Sequence, residues 1–322
     1  SSAFKNSYIS GDLAIGPYCT SIGDQAFAGC SSLDGTLTIG TGLALNEQKF
    51  QNTNFSALKV GSWVTETKQQ DYAFFRNFSD TASLTFEYGS GLLNKIGDNS
   101  FQGFKINSLI LPKNLNEIGS KAFYNCTELE NLLFEERDIG NPLYISSLTT
   151  IGDSAFENCK LKTDDNIFAP KIFELPPNLV SIGNRAFADC NLLSGALVFP
   201  DNLQSIGDES FINCSFTGQL SLPNTFYNLG NSCFKNCDGF SDYLVIPNNI
   251  SSIGSECFAG CTGIGDVYIS LDASNLGLNS FNGPTGDLYV ENNVTGSYGG
   301  TGIQYDNMTV KLWSNYPTYP IV

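Results

Sequence analysis

A repeat solenoid is the fold that this 322-residue chain predicts, and three recurrences predict it. A nine-residue string, Ile22 to Cys30 (IGDQAFAGC), returns at Ile118–Cys126, Ile151–Cys159, Ile182–Cys190, Ile206–Cys214 and Ile253–Cys261. Weaker copies lie at Ile96–Phe104, Leu229–Cys237 and Leu276–Pro284. A phenylalanine recurs within the string at steps of mostly 22 to 24 residues. A short alternating apolar run precedes most copies. A fixed period of this size marks units that bury their apolar face only by stacking on one another.

The phenylalanines set the register: Phe4, Phe27, Phe50, Phe74, Phe101, Phe123, Phe156, Phe187, Phe211, Phe234, Phe258 and Phe281. Phe50 and Phe74 sit in degenerate copies, and Gln304 to Asn307 reads as a last vestige. The steps from Phe123 to Phe156 and from Phe156 to Phe187 are 33 and 31 residues, so insertions are expected near 135–145 and 160–170. The period predicts one elongated domain over residues 1–312, of about twelve repeats of ~23 residues, with 313–322 as a cap or linker.

Each alternating run is expected to be a strand of three to five residues with one buried face. Examples are Leu37–Ile39, Leu84–Phe86, Leu109–Leu111, Leu132–Phe134, Leu197–Phe199, Leu220–Leu222, Leu244–Ile246, Val267–Ile269 and Leu288–Val290. Pro112, Pro176, Pro200, Pro223 and Pro247 follow such runs, where a residue without a donor ends a ladder. Stacked turns then form one long parallel sheet with strands about 4.8 Å apart.

Within the nine-residue string, glycine after isoleucine is expected to permit a bend that a β-carbon resists. The Ala-Phe pair points inward, and the phenylalanines fill the coil. The closing cysteine is a small buried residue that bonds weakly to turn backbone. Asn158, Asn213 and Asn236, just before it, suit a turn by bonding their own backbone.

These residues resemble the BspA-like, treponemal-type leucine-rich repeat, in which a 23-residue unit carries Leu-x-x-Ile-Gly-x-x-Ala-Phe-x-x-Cys-x-x-Leu and then a Leu-x-Ile-Pro strand. Leu203–Pro223 and Ile253–Ile269 match it closely, and the resemblance runs the length of the chain. The resemblance implies a right-handed curved solenoid on a secreted or surface protein, acting as an adhesin or interaction module. The pattern contains no catalytic residue to carry over.

Composition narrows the function classes. Sixteen Lys and Arg against 32 Asp and Glu give a net charge of −16, which argues against nucleic acid and anionic membranes as partners. No stretch is long and apolar enough to span a bilayer. The first repeat opens within four residues of the start, which reads as a mature or trimmed fragment whose anchor lies elsewhere. The chain has no histidine, which removes Ser-His and Cys-His nucleophile pairs and the commonest metal ligand. No enzyme activity and no cofactor are expected. Carboxylate-only sugar hydrolysis would have to use acids outside the pattern, such as Glu135 with Glu136 or Asp164 with Asp165. Asp164, Asp165 and Asn166 would also be the oxygen ligands of any calcium site.

Seven of the ten cysteines close the string: Cys30, Cys126, Cys159, Cys190, Cys214, Cys237 and Cys261. Cys233 and Cys257 replace its alanine, and Cys19 is off register and open to a disulfide. The Cys233-x-x-x-Cys237 and Cys257-x-x-x-Cys261 spacings are not the tight pairs of a usual zinc site, so no metal is expected. Reduced buried thiols fit an oxidising exterior poorly. Seven Asn-x-Ser/Thr triplets occur, including those at Asn125, Asn213 and Asn293, two of them produced by the repeat itself.

In each strand the flanking apolar residues point inward, so the middle one points out. That outward row reads Ala14, Thr38, Lys59, Thr85, Ile110, Leu133, Glu174, Val198, Ser221, Val245, Tyr268 and Tyr289, with Tyr243 beside Val245. The later part is largely aliphatic or aromatic, and exposed apolar patches mark interaction sites. Strand propensity accounts for the same residue types. The expected function is adhesion or protein interaction, with a host or neighbouring protein or a glycan bound at Ile110, Leu133, Val198, Tyr243, Val245, Tyr268 and Tyr289. Extracellular or cell-surface location follows from that reading. The alternative is a structural spacer that displays another domain and binds nothing itself. The insertions Glu135–Ile145 and Lys160–Pro170 are a second candidate surface, because insertions in solenoids map to loops.

Overall fold

A computed structural model describes residues 2–40, 42–70, 72–87, 92–134, 146–163, 171–291, 293, 295–298, 301 and 304–313. The chain forms two compact units, Ser1–Lys162 and Thr163–Val322. Both are parallel-strand repeat solenoids with only short 3-10 helices among the described residues.

In the first unit, strands Leu13–Ile15, Thr36–Ile39, Phe55–Val60 and Phe78–Phe86 pair in parallel. Ser108–Leu111 pairs with Asn131–Phe134 as a separate ladder. In the second unit the ladders are Ile172–Glu174, Ser194–Val198 and Ser215–Phe216, then Gly218–Gln219 with Phe240–Ser241. A last ladder runs through Leu244–Val245, Val267–Ile269, Asp287–Val290 and Met308–Leu312. The expected single sheet is therefore broken within each unit. One break follows Phe86, in the 27-residue step from Phe74 to Phe101. Leu220–Leu222 keeps the in-out alternation of a strand but joins no ladder.

A second ladder, not foreseen from the sequence, begins seven of the nine-residue strings, from Ile96 to Ile253. Lys95–Ile96, Glu117–Ile118 and Thr150–Ile151 pair in the first unit. Ser181–Ile182, Ser205–Ile206, Asn228–Leu229 and Ser252–Ile253 pair in the second. The string itself then bonds to the next turn. In the second unit Phe187, Phe211, Phe234 and Phe258 donate their N–H to the carbonyls of Ser210, Cys233, Cys257 and Ser280 at 2.8–3.0 Å.

The phenylalanines form columns. Phe187, Phe211, Phe234, Phe258 and Phe281 stack with centroids 5.4–5.7 Å apart and ring planes within 11° of parallel. In the first unit Phe4, Phe27 and Phe50 stack at 5.3–5.4 Å, as do Phe101, Phe123 and Phe156 at 5.3 Å. The column is disturbed at the degenerate repeat, where Phe50 meets Phe74 edge-on and Phe75 stacks on Phe104.

The glycine of the string is needed for a different reason than the expected bend. Its φ lies outside the left-handed region; at Gly254 a β-carbon would come within 2.4 Å of the Asn231 nitrogen in the previous turn. The left-handed positions are elsewhere, at the fourth and eighth residues of the string, such as Arg185, Glu209, Ser232 and Glu256, and Asn158, Asn213 and Asn236. Asparagine tolerates this conformation better than most residues. These asparagines do not bond their own backbone as expected. Asn236 donates to Asn213 Oδ1 at 2.8 Å, Asn213 to Asp189 Oδ1 at 2.7 Å, and Asn158 to Asn125 Oδ1 at 3.1 Å, tying one turn to the next. The third residue of the string makes a parallel chain. Asn184, Asp208 and Asn231 side chains accept from the backbone N–H of Asp208, Asn231 and Ser255.

Closing cysteines also reach across turns. Cys126, Cys214, Cys237 and Cys261 donate to the carbonyls of Phe101, Phe187, Phe211 and Phe234 at 3.0–3.3 Å. Gln304–Tyr305 is not another repeat but folds back antiparallel on Met308–Leu312. Between them Asp306 accepts from Phe281 N–H at 2.8 Å, supplying the oxygen that a following turn's carbonyl would otherwise offer. Asn307 continues the asparagine ladder to Asn282 at 2.6 Å. The vestige is a cap for the last turn.

Two predictions follow from turn-on-turn packing. Phe211→Ala should cost about 3–5 kcal/mol in chemical unfolding, because a fully buried ring leaves a cavity. Phe4→Ala should cost far less, since Phe4 is 50% exposed with one stacking neighbour; equal losses would contradict the packing. The second concerns pH. Lys68, Lys59, Lys162 and Lys235 hydrogen-bond Glu66, Glu87, Glu130 and Glu256 and hold each carboxyl below its ordinary value of 4.5. A carboxyl depressed by folding stabilises the native state above its unfolded pKa, and that contribution is lost as pH falls through the folded value. The thermal midpoint should therefore fall as pH drops below about 4.5. High salt should shrink the effect, because these pairs are solvent-accessible.

Candidate strand-face surface

The outward row exists as directly opposed residues. In the first unit Ala14 lies opposite Thr38, Thr38 opposite Lys59, and Lys59 opposite Thr85. Lys59 Nζ binds Glu87 at 2.8 Å, so this end of the row is polar and charged. Beyond the ladder break the row turns apolar. Ile110 lies opposite Leu133, and their exposures are 46% and 54%, while Leu109 and Leu111 are buried beneath. The strand alternation thus places two large aliphatic side chains side by side in solvent. Next to Ile110 a groove of about 240 Å³ opens between the two ladders, lined by Ser83, Leu84, Thr85, Phe86, Ser108, Ile110 and Pro112.

In the second unit Glu174 lies opposite Val198, which is 39% exposed. Ile172 is also exposed, two residues before Glu174 on the same face, and was missed from sequence although its period-2 spacing marks it. Farther on, Val245, Tyr268, Tyr289 and Lys311 oppose one another in order. Here the surface differs from expectation. Tyr268 and Tyr289 are only 5% exposed, and Tyr243 and Val245 are half-buried. Tyr268 and Tyr289 stack at 4.8 Å, Tyr243 meets Tyr268 edge-on at 5.9 Å, and Trp313 meets it edge-on at 5.7 Å. Lys311 lies over the Tyr289 ring at 6.0 Å and pairs with Asp287. The outward tyrosines are closed over by aromatic neighbours. Trp313, two residues past Lys311, carries the signal for this in its spacing.

Chemistry finds little foothold. Among the described residues no group of three or more Cys, Asp or Glu could hold a metal ion, and no helix is long and apolar enough to cross a membrane. Glu135, Glu136, Asp164, Asp165 and Asn166 lie outside the described residues, as do the insertion 135–145, residues 164–170 of the second insertion, and residues 314–322. Cys19 is a free thiol whose Sγ donates to the Ser21 carbonyl at 3.4 Å.

Comparison with known proteins bears on the fold. A leucine-rich repeat protein from Bacteroides ovatus is similar, with a TM-score of 0.55 and 19% identity, over 94% of this chain and 83% of that one. A leucine-rich repeat protein of T. pallidum matches with a TM-score of 0.39 and 19% identity, over 72% of this chain and 88% of that one. The pneumococcal vaccine antigen PcpA matches with a TM-score of 0.37 and 15% identity, over 94% and 89%. No curated protein matches. The BspA type leucine rich repeat region is found in 6 copies, over residues 1–130, 45–171, 133–194 and 165–286. These matches span most of the sequence, and the chain belongs to the BspA-type leucine-rich repeat family.

Proposed function

We propose that this protein is a secreted or cell-surface recognition module that binds a host or neighbouring protein, or a glycan, through the outward strand face. The observation that supports this most is the opposed pair Ile110 and Leu133, exposed beside the groove at the ladder break. Two neighbouring aliphatic side chains in water, with a recess next to them, are ready to bury area against a partner. In the second unit Val198, Val245 and Tyr243 offer a smaller exposed share. Tyr268 and Tyr289 support that face from beneath rather than presenting their rings to a ligand. The net charge of −16 favours a partner that is neutral or basic where it docks.

The test is a screen of the purified protein against a glycan array and a panel of matrix and epithelial proteins, followed by substitution. For a saturable hit, Ile110→Thr with Leu133→Thr should weaken binding at least about tenfold, the loss of roughly 1.4 kcal/mol. The thermal midpoint should hardly change, because both side chains already face solvent. Unchanged affinity in the folded double variant would overturn this surface as the site. A screen with no hit, from protein shown to be folded, would overturn the recognition reading and leave a spacer.

A further inference from the structure

Two thiols in the second unit stand apart from the other buried cysteines. Cys233 and Cys257 occupy the fifth position of successive strings, where Ala122, Ala155 and Ala186 stand in other turns. Serine fills the same slot in some turns, and its hydroxyl is used. Ser100 donates to the Gly97 carbonyl, Ser210 to Gly207 and Ser280 to Gly277. Closing cysteines likewise donate to phenylalanine carbonyls, Cys237 to Phe211 and Cys261 to Phe234 among them. Cys233 and Cys257 do neither. Their sulfurs face each other at 3.0 Å, inside ordinary sulfur contact, in a fully buried position. A thiol is a weak donor and sulfur a weak acceptor, so this pairing replaces a better bond that the slot offers.

We propose that Cys233 and Cys257 form a disulfide that staples two successive turns when the chain folds in the presence of a low-molecular-weight disulfide. The geometry allows it. The two residues hold equivalent places in adjacent turns, and the Phe234 N–H bonds the Cys257 carbonyl at 3.0 Å. Neighbouring strands lie about 4.8 Å apart, within the Cα separation of about 4.4–6.8 Å that a disulfide spans. Bond formation needs the sulfurs to close by about 1 Å, to a length of about 2.05 Å. The chemistry is thiol–disulfide exchange. One cysteine thiolate attacks the small disulfide, expels one small thiolate and leaves a mixed disulfide. The second cysteine thiolate attacks the protein sulfur of that mixed bond and expels the other small thiolate. The protein gives up two protons and two electrons, and the oxidant becomes two thiols.

The fold dictates when this happens. Both residues are wholly buried, and burial raises the Cys233 thiol well above its ordinary range, so the thiolate that exchange requires is scarce in the closed stack. Exchange therefore precedes stacking of these turns, and the finished bond is shielded from reductant. The bond removes two of the nine buried thiols that fit an oxidising exterior poorly.

The experiment unfolds the whole protein in denaturant and refolds it with either oxidised glutathione or reductant. Each sample is freed of small thiols, unfolded again in iodoacetamide without reductant, and digested. With oxidised glutathione, Cys233 and Cys257 should be unlabelled and joined in one cross-linked peptide pair, lighter than the separate peptides by two hydrogen atoms. Native oxidised protein should keep the link in dithiothreitol until denaturant is added. Its thermal midpoint should exceed that of the reduced form by several degrees. The double variant C233A/C257A carries the alanine usual in this slot, so it should fold and show no such difference. Full labelling of both cysteines in protein refolded with oxidised glutathione, with native circular dichroism, would overturn the proposal. So would a link from either residue to another cysteine, or the same midpoint difference in C233A/C257A.

Discussion

No turn of this chain can bury its phenylalanine alone, and the rest of the structure follows from that constraint. A turn of about two dozen residues has too little interior to enclose a ring. The ring is covered only when the next turn lays its own ring above it. The columns Phe187 to Phe281 and Phe101 to Phe156 are the result, and the amides bonded from turn to turn keep their spacing. Everything that lies between two rings is then prescribed. Gly254 must lack a β-carbon because the Asn231 backbone is too close, and the slot before the ring takes only Ala, Ser or Cys among strong copies of the string. Side chains with hydrogen-bonding capacity are spent upward and downward along the stack, in the asparagine ladder and in the cysteine sulfurs. What remains free to vary is the outward position of each strand.

Much of this was legible. The phenylalanine register of the regular turns was legible, because a large apolar residue at fixed spacing has one place to go in a coil; at the degenerate repeat Phe75 rather than Phe74 meets the next turn's Phe101. The outward row was also legible. Ala14, Thr38, Lys59 and Thr85 are directly opposed, as are Ile110 and Leu133, because strand alternation settles which residue faces out. Other features lay below what pattern can reach. Two-residue strands such as Ser205–Ile206 are too short to show a period. The breaks in the sheet occur at steps of both regular and extended length, so spacing alone does not reveal them. The bend expected at the glycine of the string was a plausible local cause, but the actual cause is a contact between turns, invisible to local reasoning.

One strand from each unit shows why alternation does not equal exposure. Ile110 and Tyr268 hold the same place in their strands. Ile110 has only Leu133 and a groove beside it and stays in water. Tyr268 is flanked by Tyr243, Tyr289 and Trp313 and is covered by them. Large aromatic side chains on neighbouring strands are long enough to close over one another. A row of tyrosines can therefore make its own small core on the outside of a sheet. The binding reading consequently leans on the first unit, where apolar side chains are exposed without mutual cover.

The claim on which this account rests is that neighbouring turns hold each other. Native-state hydrogen exchange on Phe234→Ala tests it most directly. The Phe211 and Phe258 amides belong to the turns on either side and bond the carbonyls of Cys233 and Ser280. Coupling through the column predicts that both lose protection along with Phe234, while amides several turns away keep theirs. Loss confined to the mutated turn would contradict it, and would mean that each turn is stable by itself.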